Sequence, residues 1–196
     1  MKIAIVDSGI TPEHPHVGSV AGGISFTSQT DLLDRLGHGT AVAGAIRQWA
    51  PDAELFAVKV FDRRLTASVD TLVRALEWCR EQAMDLVNLS LGTANATHRE
   101  RLRGVVSPHP LVVSPADLFP GSFPDVAGVD ADPECPRNEF RFRGGKFHAS
   151  PYPRPIPGVP VEYNLKGASF AVANLTGLAA ALGLRTREAL AERAAA

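Results

Sequence analysis

Ile3-Ala4-Ile5-Val6-Asp7-Ser8-Gly9-Ile10 is a short apolar run that ends in a carboxylate, a hydroxyl and a turn glycine. Its β-branched residues and its lack of polar alternation predict a strand over Lys2–Asp7 that is covered on both faces, as in a parallel sheet. In an open parallel sheet, ligands sit beyond the carboxyl ends of the strands, and Asp7 falls there.

Runs of the same kind recur at Glu54–Val60, Asp85–Ser90, Leu111–Ser114 and Asp125–Asp130, with helix-period segments between them. Strands alternating with helices predict an α/β fold of three layers, α/β/α, around a mostly parallel sheet. The clearest helix spans residues 66–83, with Val69, Leu72, Val73, Leu76, Cys79 and Ala83 on one stripe. Further helices are expected to begin near Gly39, Thr97, Ala168 and Thr186, the last with Thr186 as its N-cap. Residues 132–160 hold seven of the prolines together with Gly144-Gly145, and are expected to form an irregular surface excursion.

The chain has 196 residues, enough for a single domain over 1–196 with one substantial core. A net charge of -1 gives no reason to expect a nucleic-acid or anionic-membrane partner. No apolar stretch approaches transmembrane length. The run at Lys2–Val6 is too short for a secretory leader, so a cytoplasmic location is expected. The two cysteines, Cys79 and Cys135, cannot make a disulfide framework, and Cys79 reads as a buried core thiol.

Two more segments carry chemistry. Gly37-His38-Gly39-Thr40-Ala41-Val42-Ala43-Gly44 sets a histidine between glycines at the mouth of a small-residue helix. The glycines allow close backbone approach, and a helix N-terminus disfavours an extra proton on the ring. Lys166-Gly167-Ala168-Ser169-Phe170-Ala171 sets a serine at the start of an apolar helix, where free backbone N–H groups can hold an oxyanion.

Together these segments resemble the subtilase family of serine peptidases, peptidase family S8. Asp7 lies in a match to its "DSGI" segment, His38 to "GHGT-VAG" and Ser169 to "GTS-A". Ala57-Val58-Lys59-Val60, Val87-Asn88-Leu89-Ser90-Leu91-Gly92 and Phe123-Pro124-Asp125-Val126-Ala127-Gly128-Val129 resemble family segments at the expected places, so the likeness covers nearly the whole chain. The order Asp, His, Ser is the subtilisin order.

The resemblance implies a serine-type endopeptidase acting on a peptide or protein. Ser169 would be the nucleophile, His38 the general base and acid, and Asp7 the group that orients the imidazole. Ser90-Leu91-Gly92 would form a wall of the substrate groove and pair with an extended peptide as an added strand. A compact dedicated peptide-processing protease is the leading expectation. A peptide-binding subtilase fold impaired in catalysis, and a transpeptidase or macrocyclase working through the same acyl-enzyme, are the alternatives.

The pattern departs from the family at the oxyanion donor. Where the family has an asparagine, Val112-Val113-Ser114-Pro115-Ala116-Asp117 brings Asp117, leaving the Ser169 backbone N–H as the other donor. An ionised carboxylate only accepts and would repel the oxyanion, whereas burial could keep Asp117 protonated and able to donate. The short passage from Arg47-Gln48 to Ala53 keeps no cluster of Asp or Asn ligands, so no calcium, other metal or cofactor is expected. Asp31, Asp34 and Asp70 read as solvated or capping residues. His14 and His16 read as structural, and Trp49 and Trp78 as packing residues.

Overall fold

Strand β1 (Lys2–Asp7) pairs in parallel with β3 (Glu54–Lys59) on one side and β4 (Leu86–Leu89) on the other. In the computed structural model, which describes residues 1–107 and 109–195, these strands belong to one eight-stranded sheet. The remaining members are β2 (Gly22–Ser25), β5 (Leu111–Pro115), β6 (Ala127–Ala131), β7 (Phe140–Arg143) and β8 (Lys146–Ala149). The order is β2-β3-β1-β4-β5-β6-β8-β7, all parallel except the β7–β8 pair.

Alternation along β1 divides the molecule into layers. Ile3 and Ile5 point into a core shared with Val42 and Ile46 of helix α1 (His38–Trp49) and with Phe170 and Leu175 of α4 (Ala168–Ala181). Leu190 of α5 (Arg187–Ala195) joins the same core. Ala4 and Val6 point the other way, against Leu72 and Leu76 of α2 (Val69–Glu81) and Leu102 of α3 (Arg99–Arg103). The expected three-layer α/β/α architecture is therefore present.

Helix α2 is shorter than its apolar stripe. Ser68 accepts from the Thr71 N–H at 3.1 Å and caps the helix two residues after the expected start. Ala83 takes a left-handed φ of 50° and is exposed, so it lies past the helix end. Cys79 is buried, and burial pushes its thiol up to about 12.

Residues 132–160 require a correction. Rather than an irregular excursion throughout, they contain β7 and β8, an antiparallel hairpin turned by Gly144-Gly145. Strand β8 is not peripheral: it pairs with β6 and β7, and Phe147 and Ala149 are buried in the core beneath α4. The prolines flank the hairpin and leave its ladder intact. Strand β7 closes the sheet at one edge, where Arg141 and Arg143 both reach Asp132 at 3.3 and 2.9 Å.

Helix α4 is apolar all round because it is buried all round, with Phe170 to Ala179 shielded. Its one asparagine is fully used. Asn174 Nδ2 donates to the Ser150 and Tyr152 carbonyls at 2.9 Å each, and Oδ1 accepts from Trp49 Nε1 at 3.0 Å. The C-terminal end of α1, the middle of α4 and the segment after β8 are thereby locked together. Among the described residues no helix is long and apolar enough to cross a membrane.

Candidate active site

The site forms where α1 begins against the carboxyl end of β1. A Cβ on Gly39 would lie 2.2 Å from the Gly9 carbonyl oxygen and 3.2 Å from Asp7 Cβ, so only glycine lets the first turn seat there. Gly37, the N-cap, offers no side chain, and Asp34 takes over its work. Asp34 Oδ2 accepts from the Thr40 N–H and hydroxyl at 2.8 and 2.7 Å, and Oδ1 accepts from the Leu36 and Gly37 N–H groups at 2.9 Å. The Ser8 hydroxyl donates to Asp34 at 2.8 Å and accepts from the Gly39 N–H at 3.0 Å. Burial favours the protonated form of Asp34, but these donors outweigh it and hold the carboxyl below its usual value.

This seating places His38 Nδ1 2.8 and 2.9 Å from the two Asp7 carboxylate oxygens. Asp7 has no exposed side-chain surface and its carboxylate also accepts from the Ser8 N–H at 2.8 Å. With Nδ1–H donating to a carboxylate, Nε2 is left as the acceptor in the neutral ring. Burial works to lower the His38 pKa. The Asp7 hydrogen bond and the charges of Asp7 and Asp34 work the other way and prevail, so it is raised.

Ser169 is the second residue of α4, and the N-cap Gly167 provides no side-chain cap. Among the described residues nothing accepts the Ser169 N–H. The Ser169 hydroxyl donates to the Ser90 carbonyl across a long 3.4 Å, and no hydrogen bond joins it to His38 among the described residues. Its neighbour Phe170 lies against the imidazole, with ring centroids 5.9 Å apart, which brings the start of α4 beside the Asp7–His38 pair.

Ser90-Leu91-Gly92 follows β4. Asn88 donates to the Ser90 hydroxyl at 2.9 Å and accepts from Thr176 of α4 at 3.1 Å, tying this segment to the serine helix. Thr93 and Phe119 exchange both backbone hydrogen bonds, at 3.0 and 2.9 Å. By strand alternation the Gly92 N–H and carbonyl face the opposite side, and among the described residues neither has a partner.

Asp117 is not in the buried setting that a protonated donor requires. Its side chain is 79% exposed and pairs with Lys146 at 2.6 Å, and Lys146 also meets Asp130 at 3.2 Å. Phe147 and Val129, adjacent to Lys146 and Asp130, point toward α4, so Lys146 and Asp130 point away from it. The Asp117 carboxylate is drawn to the sheet face opposite the Ser169 helix.

Sequence reasoning named Asp34 only as a solvated or capping residue. It does cap, but it is half buried and adjoins the His38 pair through Ser8. Its position four residues before His38, at a helix start, is the signal that could have marked it. Asp31 pairs with Arg35 at 2.8 Å, and Asp70 pairs with Arg101.

A family model described as the subtilase family matches residues 1–116. The chain belongs to the subtilase family. Its relatives include Subtilisin Savinase of Lederbergia lenta, 31% identical over 91% of this chain and 71% of that protein. Subtilisin E of Bacillus subtilis (strain 168) is 29% identical over 91% of this chain and 52% of that protein. An alkaline protease of Alkalihalobacillus alcalophilus is 31% identical over 91% of this chain and 50% of that protein. This subtilase thus spans about half the length of the latter two relatives. The family match holds Asp7, His38 and Ser90–Gly92 and ends before Ser169, but alignments over 91% of the subtilase reach beyond it. Among its described residues, no group of three or more His, Cys, Asp or Glu side chains is placed to hold a metal ion.

Proposed function

We propose that this subtilase is a serine endopeptidase that works through Asp7, His38 and Ser169 and a covalent acyl-enzyme. The observation that carries this reading is the paired contact of Asp7 with His38 Nδ1, at 2.8 and 2.9 Å, beside an uncapped helix start bearing Ser169. Ser169 Oγ attacks the scissile carbonyl while His38 Nε2 takes its proton, and Asp7 stabilises the imidazolium. His38 then returns the proton to the leaving amine, and water completes the cycle. The free Ser169 N–H, at the positive end of α4, faces the developing oxyanion.

The open Gly92 N–H and carbonyl support docking of the acyl side of the substrate as an added strand. A substrate N–H reaching the Ser90 carbonyl would compete for the acceptor that now holds Ser169 Oγ. That contact is long and weak, so it does not keep the hydroxyl from turning toward His38.

Within this reading the substrate is one dedicated peptide, because exposed Ile156, Val161 and Leu165 in the approach to Ser169 offer side-chain selection beyond backbone pairing. Similar cleavage rates across unrelated unfolded proteins would argue against that narrower claim. The activity itself is tested by fluorophosphonate labelling beside a Ser169→Ala control. Labelling of the wild type alone supports the triad, and no labelling of folded protein rejects it.

A further inference from the structure

A cavity of about 500 Å³ opens beside His38, and its wall includes Ile156 and Leu165, two of the exposed residues that offer side-chain selection. Gly37 and Thr40, which bracket His38, form part of its wall, and Leu165, just upstream of Ser169, forms another. Its elements differ from the Ser90–Gly92 edge assigned to the acyl side. That leaves the cavity open to the chain whose amine receives the proton from His38. That placement rests on the triad reading above.

The chemistry of the lining is lopsided. Arg154, His14 and His16 contribute one guanidinium and two imidazoles, Ile156, Tyr163 and Leu165 contribute apolar and aromatic surface, and no Asp or Glu takes part. Arg154 Nη1 donates to the His16 carbonyl at 3.2 Å, which holds the guanidinium at the cavity wall with its other N–H groups without acceptors among the described residues. His14 Nδ1 accepts from the His16 N–H at 3.2 Å, so the proton of its neutral ring is on Nε2. Burial first, then the charge of Arg154, lowers the His16 pKa, and the Arg154 guanidinium is a fixed positive charge of the lining.

We infer that this cavity is the leaving-side specificity pocket of the enzyme and selects a peptide segment that combines an apolar side chain with a carboxylate bound by Arg154. The carboxylate is either an acidic side chain or the free C-terminus of the leaving fragment. Both present two oxygens to a planar fork of donors, the arrangement in which arginine exceeds a point charge.

Three tripeptides with free amines test this by calorimetry on the Ser169→Ala protein. Ala-Leu-Asp amide carries a side-chain carboxylate, Ala-Leu-Ala with a free C-terminus carries a terminal one, and Ala-Leu-Asn amide carries neither. Binding of one or both carboxylate peptides at least about tenfold tighter than the neutral one is expected, and which of them binds identifies the source. Arg154→Gln should erase the difference. Should that variant not fold, Ile156→Glu places a like charge on an exposed rim position and should erase it as well. Equal affinities for the three peptides, or a preference that survives the variants, would overturn the inference. Fluorophosphonate labelling of the wild type separates the two claims. Labelling without a carboxylate preference removes the pocket and leaves the triad, whereas preference without labelling leaves a carboxylate-binding cavity but removes the triad and with it the leaving-side assignment.

Discussion

The ammonium of Lys59, which has no exposed side-chain surface, donates to the Leu33 carbonyl at 2.7 Å. It also meets Gln29 Oε1 at 3.2 Å and Asp31 at 3.6 Å. The end of β3 thus holds the loop that delivers His38, using a charge whose desolvation is offset only by these acceptors. Lys59→Met would leave the Leu33 carbonyl only the long 3.5 Å contact from Arg35 and would free the loop. A loss of about 1–3 kcal/mol in urea denaturation is expected, with a fall in kcat/KM. An unchanged midpoint would show that the loop stands without the lysine.

The raised pKa of His38 has two consequences of opposite sign. The base must be neutral, so kcat/KM should rise with pH through a value above 6.5. The stability that protonated His38 contributes is complete below its unfolded value, about 6.5, and is lost as pH rises through the raised folded value. Activity should appear in the same window in which that stability disappears. Asp34→Asn removes one of the charges that raise the pKa and should move the activity profile to lower pH. A profile that stays in place would show that the Asp34 charge does not reach His38.

Asp117→Asn supplies the amide that the family resemblance implies at this position. Were residue 117 directed at the oxyanion, the change would raise kcat by about 10²-fold or more, the value of such a donor. With the side chain drawn to Lys146 on the far face, kcat should stay within about twofold. Steady-state kinetics on one peptide substrate decides between these outcomes.

Gly92 packs where no side chain fits. A Cβ there would lie 2.7 Å from both Leu118 Cβ and the Phe119 carbonyl oxygen that Thr93 uses. Overpacking of this kind costs about 1–3 kcal/mol, so Gly92→Ala should displace the peptide-docking edge and cut kcat/KM about tenfold or more. Fluorophosphonate labelling of Ser169, which needs no docked strand, should change less than about threefold. A parallel loss in both assays would place the damage at the nucleophile instead.

The positions of β1, β3, β4, β5 and β6 were legible because each is built on a short apolar core of Val, Ile, Leu or Ala that turn or polar residues bound. Strand β2 was not, since Gly22-Gly23-Ile24-Ser25 has no apolar run and gains its place only by pairing with β3. The β7–β8 hairpin did leave a trace. Phe140, Phe142, Phe147 and Ala149 alternate around Gly144-Gly145, and flanking prolines masked a period-two pattern. At the site, Asp7, His38 and Ser169 each sit in a local context of glycine or helix start that a sequence displays. The partnership of Asp34 with Ser8, and of Lys59 with Leu33, spans 26 residues in each case and exists only after the chain folds.

Arg141 and Arg143 on the rim strand have a significance beyond their pairing with Asp132. On the proposed function, a molecule that captures extended polypeptides must keep its own rims from acting as decoys, for its substrate or for another copy of itself. Guanidinium groups spaced along β7 make that rim a poor template, and the far rim, β2, is only four residues long. Misdirected chains and self-adhesion are both discouraged, so the short stretch at Gly92 beside the nucleophile is where an incoming chain finds an unguarded backbone.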